Sequence, residues 1–263
     1  MHFMTVSIFP DLFERFWEYG ILRRAIESGI LQTTAIDIRR FATDKHATTD
    51  DRPYGGGCGM VMKPEPLTAA IRWARDQQNR SRCILLSPQG QMLTQKLARS
   101  LSLEPCLILV CGRYEGVDER VIHQEIDEEI SIGDYVLTGG ELAAMVVMET
   151  VVRFLPGALG NEDSATCDSF ENQLLDHAHY TRPPVFEGEA VPEVLLSGHH
   201  ERIARWRLKS SLIRTFLKRP DLLAHRSFSR QEIEILTSWR NQLDTLIHRT
   251  DFSGADPSSG QEP

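Results

Sequence analysis

The sequence predicts an α/β protein with a mostly parallel sheet, followed by a small basic helical domain. Two observations carry this. Over the first 155 residues, short apolar runs alternate with stretches of helical periodicity, the pattern of strands covered on both faces by helices. Beyond that point the charge changes sign. His199 to Arg249 holds eleven Lys or Arg against five Asp or Glu, a balance of +6, and the remaining residues carry 18 basic and 32 acidic groups, a balance of −14.

The elements follow in order. MTVSIF (Met4–Phe9) reads as the first strand and Leu12–Ser28 as a helix. TTAIDI (Thr33–Ile38) and RCILLS (Arg82–Ser87) are the next strands, separated by a glycine-rich loop and a helix over Pro66–Gln78. A helix over Gln91–Ser100 precedes CLILVC (Cys106–Cys111), a continuous apolar run of the kind a doubly covered strand shows. Then come a helix over Val117–Gln124, a short strand through Tyr135–Leu137 and a long helix over Gly139–Leu155, stopped by Pro156-Gly157. GNEDSATCDS (Gly160–Ser169) is small and polar and reads as linker. His179–His200 carries three prolines and reads as extended, before helices at Glu201–Lys218 and Arg230–Arg249. The division is thus an α/β domain over 1–159, a linker over 160–172, a basic helical domain over 173–249 and a disordered polar tail over 250–263.

Composition excludes several classes. No run approaches the ~18 apolar residues of a membrane span, so a membrane role is not expected. MHFMTVSIFPDLFERF shows no basic segment followed by an apolar one, which argues against export and for a cytoplasmic protein. Five cysteines without CxxC spacing read as free thiols in a reducing compartment, several of them within strands.

Three glycine-bearing loops follow predicted strands: SPQG (Ser87–Gly90), CGRYEG (Cys111–Gly116) and SIGDYVLTGGELAAM (Ser131–Met145). Without a Cβ, such loops let a flat ligand approach the backbone, and ligands of parallel sheets sit beyond the carboxyl ends of the strands. No lysine follows the glycines, and neither GxGxxG nor GxxxxGK[ST] occurs, so nothing selects a phosphate. An adenine or amino-acid moiety read by main-chain groups suits them better. Taken singly, each loop is also compatible with plain turn chemistry. In the linker, Asp168 sits in CDSF, and Arg153 lies near the C-terminal end of the long helix. Local sequence favours a plain reading of both: an N-cap for a short helix over Phe170–Leu175, and a cation placed on helix carbonyls.

Six motifs change that balance. LSPQG, CGRYEGVDER, IGDYVLTGGELAAM, DSF, HYTRP and LSGHHERIARWR occur in this order at compatible spacing, within a resemblance that covers residues 1–245. Together they closely resemble the bacterial tRNA (guanine-N1)-methyltransferases of the SPOUT superfamily, which modify guanosine 37 beside the anticodon. The resemblance implies a deep trefoil knot in the C-terminal part of the α/β domain. It also implies an obligate homodimer that holds S-adenosylmethionine in a bent form. Carried over residue by residue, Ser87, Pro88, Gly90, Gly112, Tyr114, Glu115, Gly116, Ile132, Gly133, Asp134, Tyr135, Val136, Leu137, Gly139 and Gly140 line the cofactor pocket. Asp168 becomes the general base that takes the N1 proton of guanine, and Arg153 the partner of O6, supplied from opposite subunits.

The basic domain is expected to hold the tRNA that carries G37. Phosphates would meet Arg202, Arg205, Arg207 and Lys209. His179, Tyr180 and Arg182 of HYTRP and Ser197, Gly198 and His199 of SGHH would touch RNA as well, with Tyr180 able to stack on a base. Trp206 reads as a core residue. Mg²⁺ is associated with the family, but no ligand set is visible. The loop DDRPYGGGCGM (Asp50–Met60) departs from many relatives in having Cys58 where they have proline, and the acidic run Asp127-Glu128-Glu129 reads as a solvated edge. Two other readings of the same loops stand beside this one: a SPOUT ribose 2′-O-methyltransferase and a non-catalytic RNA-binding relative.

Overall fold

The computed structural model describes residues 1–160, 168–224 and 226–249. The tail over 250–263 and most of the polar linker lie outside them. The chain divides into two units, Met1–Thr166 and Cys167–Pro263.

The first unit is built on a five-stranded parallel sheet in the order β2-β1-β6-β5-β7. Its strands are β1 (His2–Ser7), β2 (Gln32–Asp37), β5 (Arg82–Met92), β6 (Cys106–Cys111) and β7 (Glu128–Ser131). A short hairpin, β3 (Asp50–Asp51) with β4 (Val61–Met62), stands apart from it. The helices are α1 (Pro10–Trp17), α2 (Gly20–Glu27), α3 (Pro64–Gln77), α4 (Gln95–Leu101), α5 (Glu119–Glu125) and α6 (Glu141–Val152).

Every residue of β6 is buried, because helices cover both faces of the sheet. Alternation assigns its side chains to two cores. Leu107, Leu109 and Cys111 join Phe3, Phe13 and the inner faces of α4 and α6, whereas Cys106, Ile108 and Val110 join Met4, Val6 and α3. Cys58, Cys83, Cys106 and Cys111 are free. Burial pushes the Cys83 thiol up to about 12 and the Cys106 thiol up to about 11, so these thiols stay protonated and inert.

Several sequence expectations are corrected. The helix expected over Leu12–Ser28 is two helices, since Tyr19 is extended and Gly20 adopts a left-handed φ of 63°. The helix expected from Gln91 begins at Gln95, capped by the Thr94 hydroxyl, which accepts from the Leu97 N–H. Gln91 and Met92 belong instead to β5, which continues through SPQG. Residues 87–90 loop out of the ladder there, between Leu86 and Gln91, both paired with Ile130. Tyr135–Leu137 is loop. The edge strand is β7, which takes in two residues of the acidic run.

That run is not merely solvated. The Asp127 carboxylate accepts from the Cys83 N–H at 2.7 Å and from Arg75 at 2.9 Å, and Glu128 pairs with Arg82. The charges of Asp127 and Glu128 are thus compensated where β7 joins the sheet.

The second unit contains α7 (Glu193–Leu196), α8 (His200–Lys218) and α9 (Arg230–Arg249). Its core gathers Leu174, Leu212 and Ile235. A capping box starts α9: the Glu232 carboxylate accepts from the Ser229 N–H at 2.7 Å, and the Ser229 hydroxyl accepts from the Glu232 N–H at 3.3 Å. The expected helix over Phe170–Leu175 reduces to a 3₁₀ turn at Glu171–Gln173, because Phe170, Asn172 and Gln173 all have positive φ. The extended stretch after His179 contains a hairpin, β8 (Val185–Phe186) with β9 (Glu189–Ala190), and then α7.

Candidate active site

A cavity of about 400 Å³ opens where residues 87–90 loop out of β5 and at the carboxyl ends of β6 and β7, the side of an open parallel sheet where ligands sit. Its size suits a nucleoside-sized ligand. All the predicted cofactor residues except Gly90 and Asp134 line it. Gly90 serves the framework: a Cβ there would lie 2.3 Å from the Glu129 carbonyl carbon, so glycine is what lets the looped-out segment cross β7.

The CGRYEG loop is held by backbone. Tyr114 takes a left-handed φ of 60°, and the Gly116 N–H donates to the Arg113 carbonyl at 3.2 Å. From the other side the β3–β4 hairpin clamps it. The Met62 N–H donates to the Gly116 carbonyl at 2.9 Å, and the Glu115 N–H to the Met60 carbonyl at 3.0 Å. Burial, and then the neighbouring Asp50 carboxylate, raises the Tyr114 hydroxyl above its ordinary value.

In the third loop, the Ser131 hydroxyl accepts from the Gly133 N–H at 3.2 Å. The loop then returns to the sheet: the Gly140 N–H donates to the Gly112 carbonyl at 2.9 Å. A Cβ on Gly140 would stand 2.9 Å from the Cys111 Cα, so the start of α6 packs directly against the end of β6.

Sequence reasoning missed a buried ion pair behind this cavity. Glu141, 2% exposed, accepts from the Ser7 hydroxyl at 2.7 Å and lies 3.0 Å from both Nε and Nη2 of Arg113. Arg113 also lies over the Phe9 ring, 4.5 Å from its centroid. The end of β1, the CGRYEG loop and the start of α6 are thereby joined through one carboxylate. The signal was available: the glutamate opening ELAAMVVMETVV stands directly before the run LAAMVVM, and a carboxylate there needs a partner once buried.

The cavity suits S-adenosylmethionine chemically. Ile132, Val136 and Leu137 offer apolar contact, five glycines leave main chain uncovered, and Glu115 and Glu119 supply negative charge for a cationic ligand. Mg²⁺ is not matched in the same way. It asks for oxygen ligands in octahedral array, whereas the group of metal-capable side chains found among the described residues, Asp176, His177 and His179, offers two imidazoles and one carboxylate.

Arg153 caps α6, with its backbone N–H donating to the Val151 carbonyl, and belongs to the first unit. Asp168 belongs to the second unit, and its carbonyl accepts from the Glu171 N–H. In the second unit, Arg202, Arg205 and Lys209 recur at helical spacing on one face of α8, with Arg207 turned away from them. Lys209 also reaches Gln242 on α9 at 3.3 Å. His199 is the N-terminal flank of α8 and Gly198 has a left-handed φ. The Ser197 hydroxyl donates to the Val194 carbonyl and accepts from the His199 N–H. Tyr180 and Arg182 are exposed. Trp206 is not a core residue: it packs against Tyr180 at 6.1 Å and His177 at 6.5 Å between centroids, making a platform for both rings.

Comparison with known proteins assigns the family. The sequence profile of the tRNA (guanine-1)-methyltransferase family, TrmD, matches residues 1–225. A tRNA (guanine-N(1)-)-methyltransferase of Desulfatibacillum aliphaticivorans is 52% identical over 259 residues, covering 98% of this chain and 99% of its own length. Proteins of the same name from Pseudomonas putida (strain W619) and Cronobacter sakazakii are 52% and 50% identical, covering 91% and 95% of this chain and 96% and 97% of their own lengths. A profile match across both units, with relatives aligned nearly end to end, places this chain in the tRNA (guanine-1)-methyltransferase family.

Proposed function

We propose that this chain transfers a methyl group to N1 of guanosine 37 in tRNA. Its family is one of methyltransferases, which implies S-adenosylmethionine as donor. The observation that carries the reading is the cavity into which the three glycine-bearing loops converge on one edge of the sheet. When bound there, the donor supplies a methyl group on a positively charged sulfur.

The chain's own residues prepare the acceptor. N1 of guanine carries a proton and attacks poorly until that proton leaves. Asp168 takes it as general base, and the freed lone pair accepts the methyl group. The negative charge that develops on O6 is held by the Arg153 guanidinium. Arg202, Arg205, Arg207 and Lys209 hold tRNA phosphates, while His179, Tyr180, Arg182, Ser197, Gly198 and His199 meet the anticodon arm.

A trefoil knot and a homodimer belong to the same reading. Support for the first is the return of the chain after β7, which lays Gly140 against Cys111 and Leu86. Support for the second is α6, where Leu142 is 59% and Val146 42% exposed, one turn apart beside the exposed Glu149, on a helix whose other faces are core. Large apolar side chains exposed side by side on a helix face mark a surface for a partner to cover. Val146→Glu is expected to convert a dimer into monomers in sedimentation velocity and to abolish methyl transfer; an unchanged dimer would put the interface elsewhere. Among the described residues no helix is long and apolar enough to cross a membrane.

Transcripts test the assignment directly. A tRNA carrying G37 should be methylated and its G37→A counterpart should not, with mass spectrometry of digests placing the methyl on N1. Methylation that survives loss of G37, or a methyl on a ribose 2′-oxygen, would overturn it. Absence of S-adenosylmethionine binding in calorimetry would favour a non-catalytic relative.

A further inference from the structure

In the second unit, Asp176, His177 and His179 bring three potential ligand atoms within 4.8 Å of one another. Oδ1 of Asp176 lies 2.7 Å from Nδ1 of His177, and Oδ2 lies 2.8 Å from Nε2 of His179. The two imidazoles lie close, their centroids 4.4 Å apart and their planes tilted by 45°. One carboxylate thus sits between two ring nitrogens.

The backbone that presents them is fixed at successive points. The Leu175 N–H donates to the Thr215 hydroxyl at 2.8 Å, and the Ala178 N–H to the Ser210 hydroxyl at 3.0 Å, both on α8. Between them the Asp176 N–H donates to the Ser169 hydroxyl at 3.0 Å. Trp206 meets the His177 ring edge-on. The side chains of Asp176 and His177 are 25% and 17% exposed, whereas that of His179 is 68% exposed, so the cluster is walled on one side and open on the other.

We propose that Asp176, His177 and His179 form a binding site for a first-row divalent transition cation, with Zn²⁺ as its representative. Two imidazole nitrogens and one carboxylate make a mixed set that suits such ions and not Mg²⁺. Adjacent donors around tetrahedral zinc stand roughly 3.4 Å apart, given metal–ligand bonds of ~2.0–2.1 Å. Each hydrogen-bonded contact therefore opens by only about 0.6–0.7 Å when the ion displaces the two bridging protons, each neutral imidazole then carrying its proton on the other ring nitrogen. Three protein ligands leave one position, on the side where His179 meets solvent, for water or an anionic oxygen. The bound ion fixes the imidazole of His179 and, through the chain, the Tyr180–Arg182 stretch that follows.

Untagged, chelator-treated full-length protein titrated with zinc chloride in a non-coordinating buffer should saturate at one ion per chain, with elemental analysis giving the same ratio. His179→Ala and His177→Ala should each weaken binding by more than roughly tenfold, while Cys58→Ser leaves it unchanged. His179 is exposed, so its variant keeps the wild-type circular dichroism. Cobalt(II) substituted for zinc should show the intense visible bands of a tetrahedral nitrogen–oxygen site. No saturable binding, binding indifferent to both histidine variants, or a thiolate charge-transfer band would each overturn the proposal and leave the cluster as a carboxylate hydrogen-bonded by two imidazoles.

Discussion

Asp168→Asn is expected to slow single-turnover methyl transfer to tRNA by roughly 10²–10⁴-fold, the usual worth of a positioned general base, while S-adenosylmethionine still binds with wild-type affinity. Asparagine keeps the shape and the acceptor oxygen but cannot take the N1 proton. Binding is preserved because the cavity is built from the three loops of the first unit, to which Asp168 contributes nothing. Calorimetry and rapid quench on the same preparation separate the two quantities. Turnover at the wild-type rate would remove Asp168 from the chemistry. A parallel loss of cofactor affinity would make its role structural.

Glu141→Ala should destabilise the first unit by about 3 kcal/mol, the low end of the range for breaking a buried ion pair, because the Arg113 side chain keeps 21% exposure and regains some solvation. Urea denaturation reads this directly. The same substitution should weaken S-adenosylmethionine binding, since Glu141 joins Ser7 and Arg113 behind the cavity. Wild-type stability together with wild-type affinity would show that the pair braces nothing.

Local composition made part of this structure legible. CLILVC reads as a central strand because a parallel strand covered on both faces has no solvent side to betray, and all six residues are buried. The ends of α9 are where helical periodicity places them. What escaped has identifiable causes. β7 hides behind Glu128 and Glu129, whose charges look like loop until Arg82 is seen across the sheet. The break between α1 and α2 turns on one left-handed glycine inside a continuous amphipathic pattern. SPQG looks like a turn ending a strand, yet the ladder resumes beyond it. The site divides in the same way. Glycine loops after strands pointed to a ligand that lacks phosphate recognition, but the roles proposed for Asp168 and Arg153 came only from the order of the six motifs.

The glycine-built cavity wall has a consequence for inhibition. Gly112, Gly116, Gly133, Gly139 and Gly140 bring no side chain to the cavity, so a competitor that binds their peptide groups rests on atoms that substitution cannot delete. At Gly139 and Gly140, bulk cannot readily be added to displace it. A Cβ on Gly139 would stand 2.3 Å from the Arg113 Nε, and one on Gly140 would collide with the Cys111 backbone. Resistance by point mutation would have to arise at Gly112, where an added Cβ meets only ordinary contacts, or at surrounding side chains such as Val136 or Tyr135, which makes the peptide groups of Gly139 and Gly140 the better anchor for a durable drug.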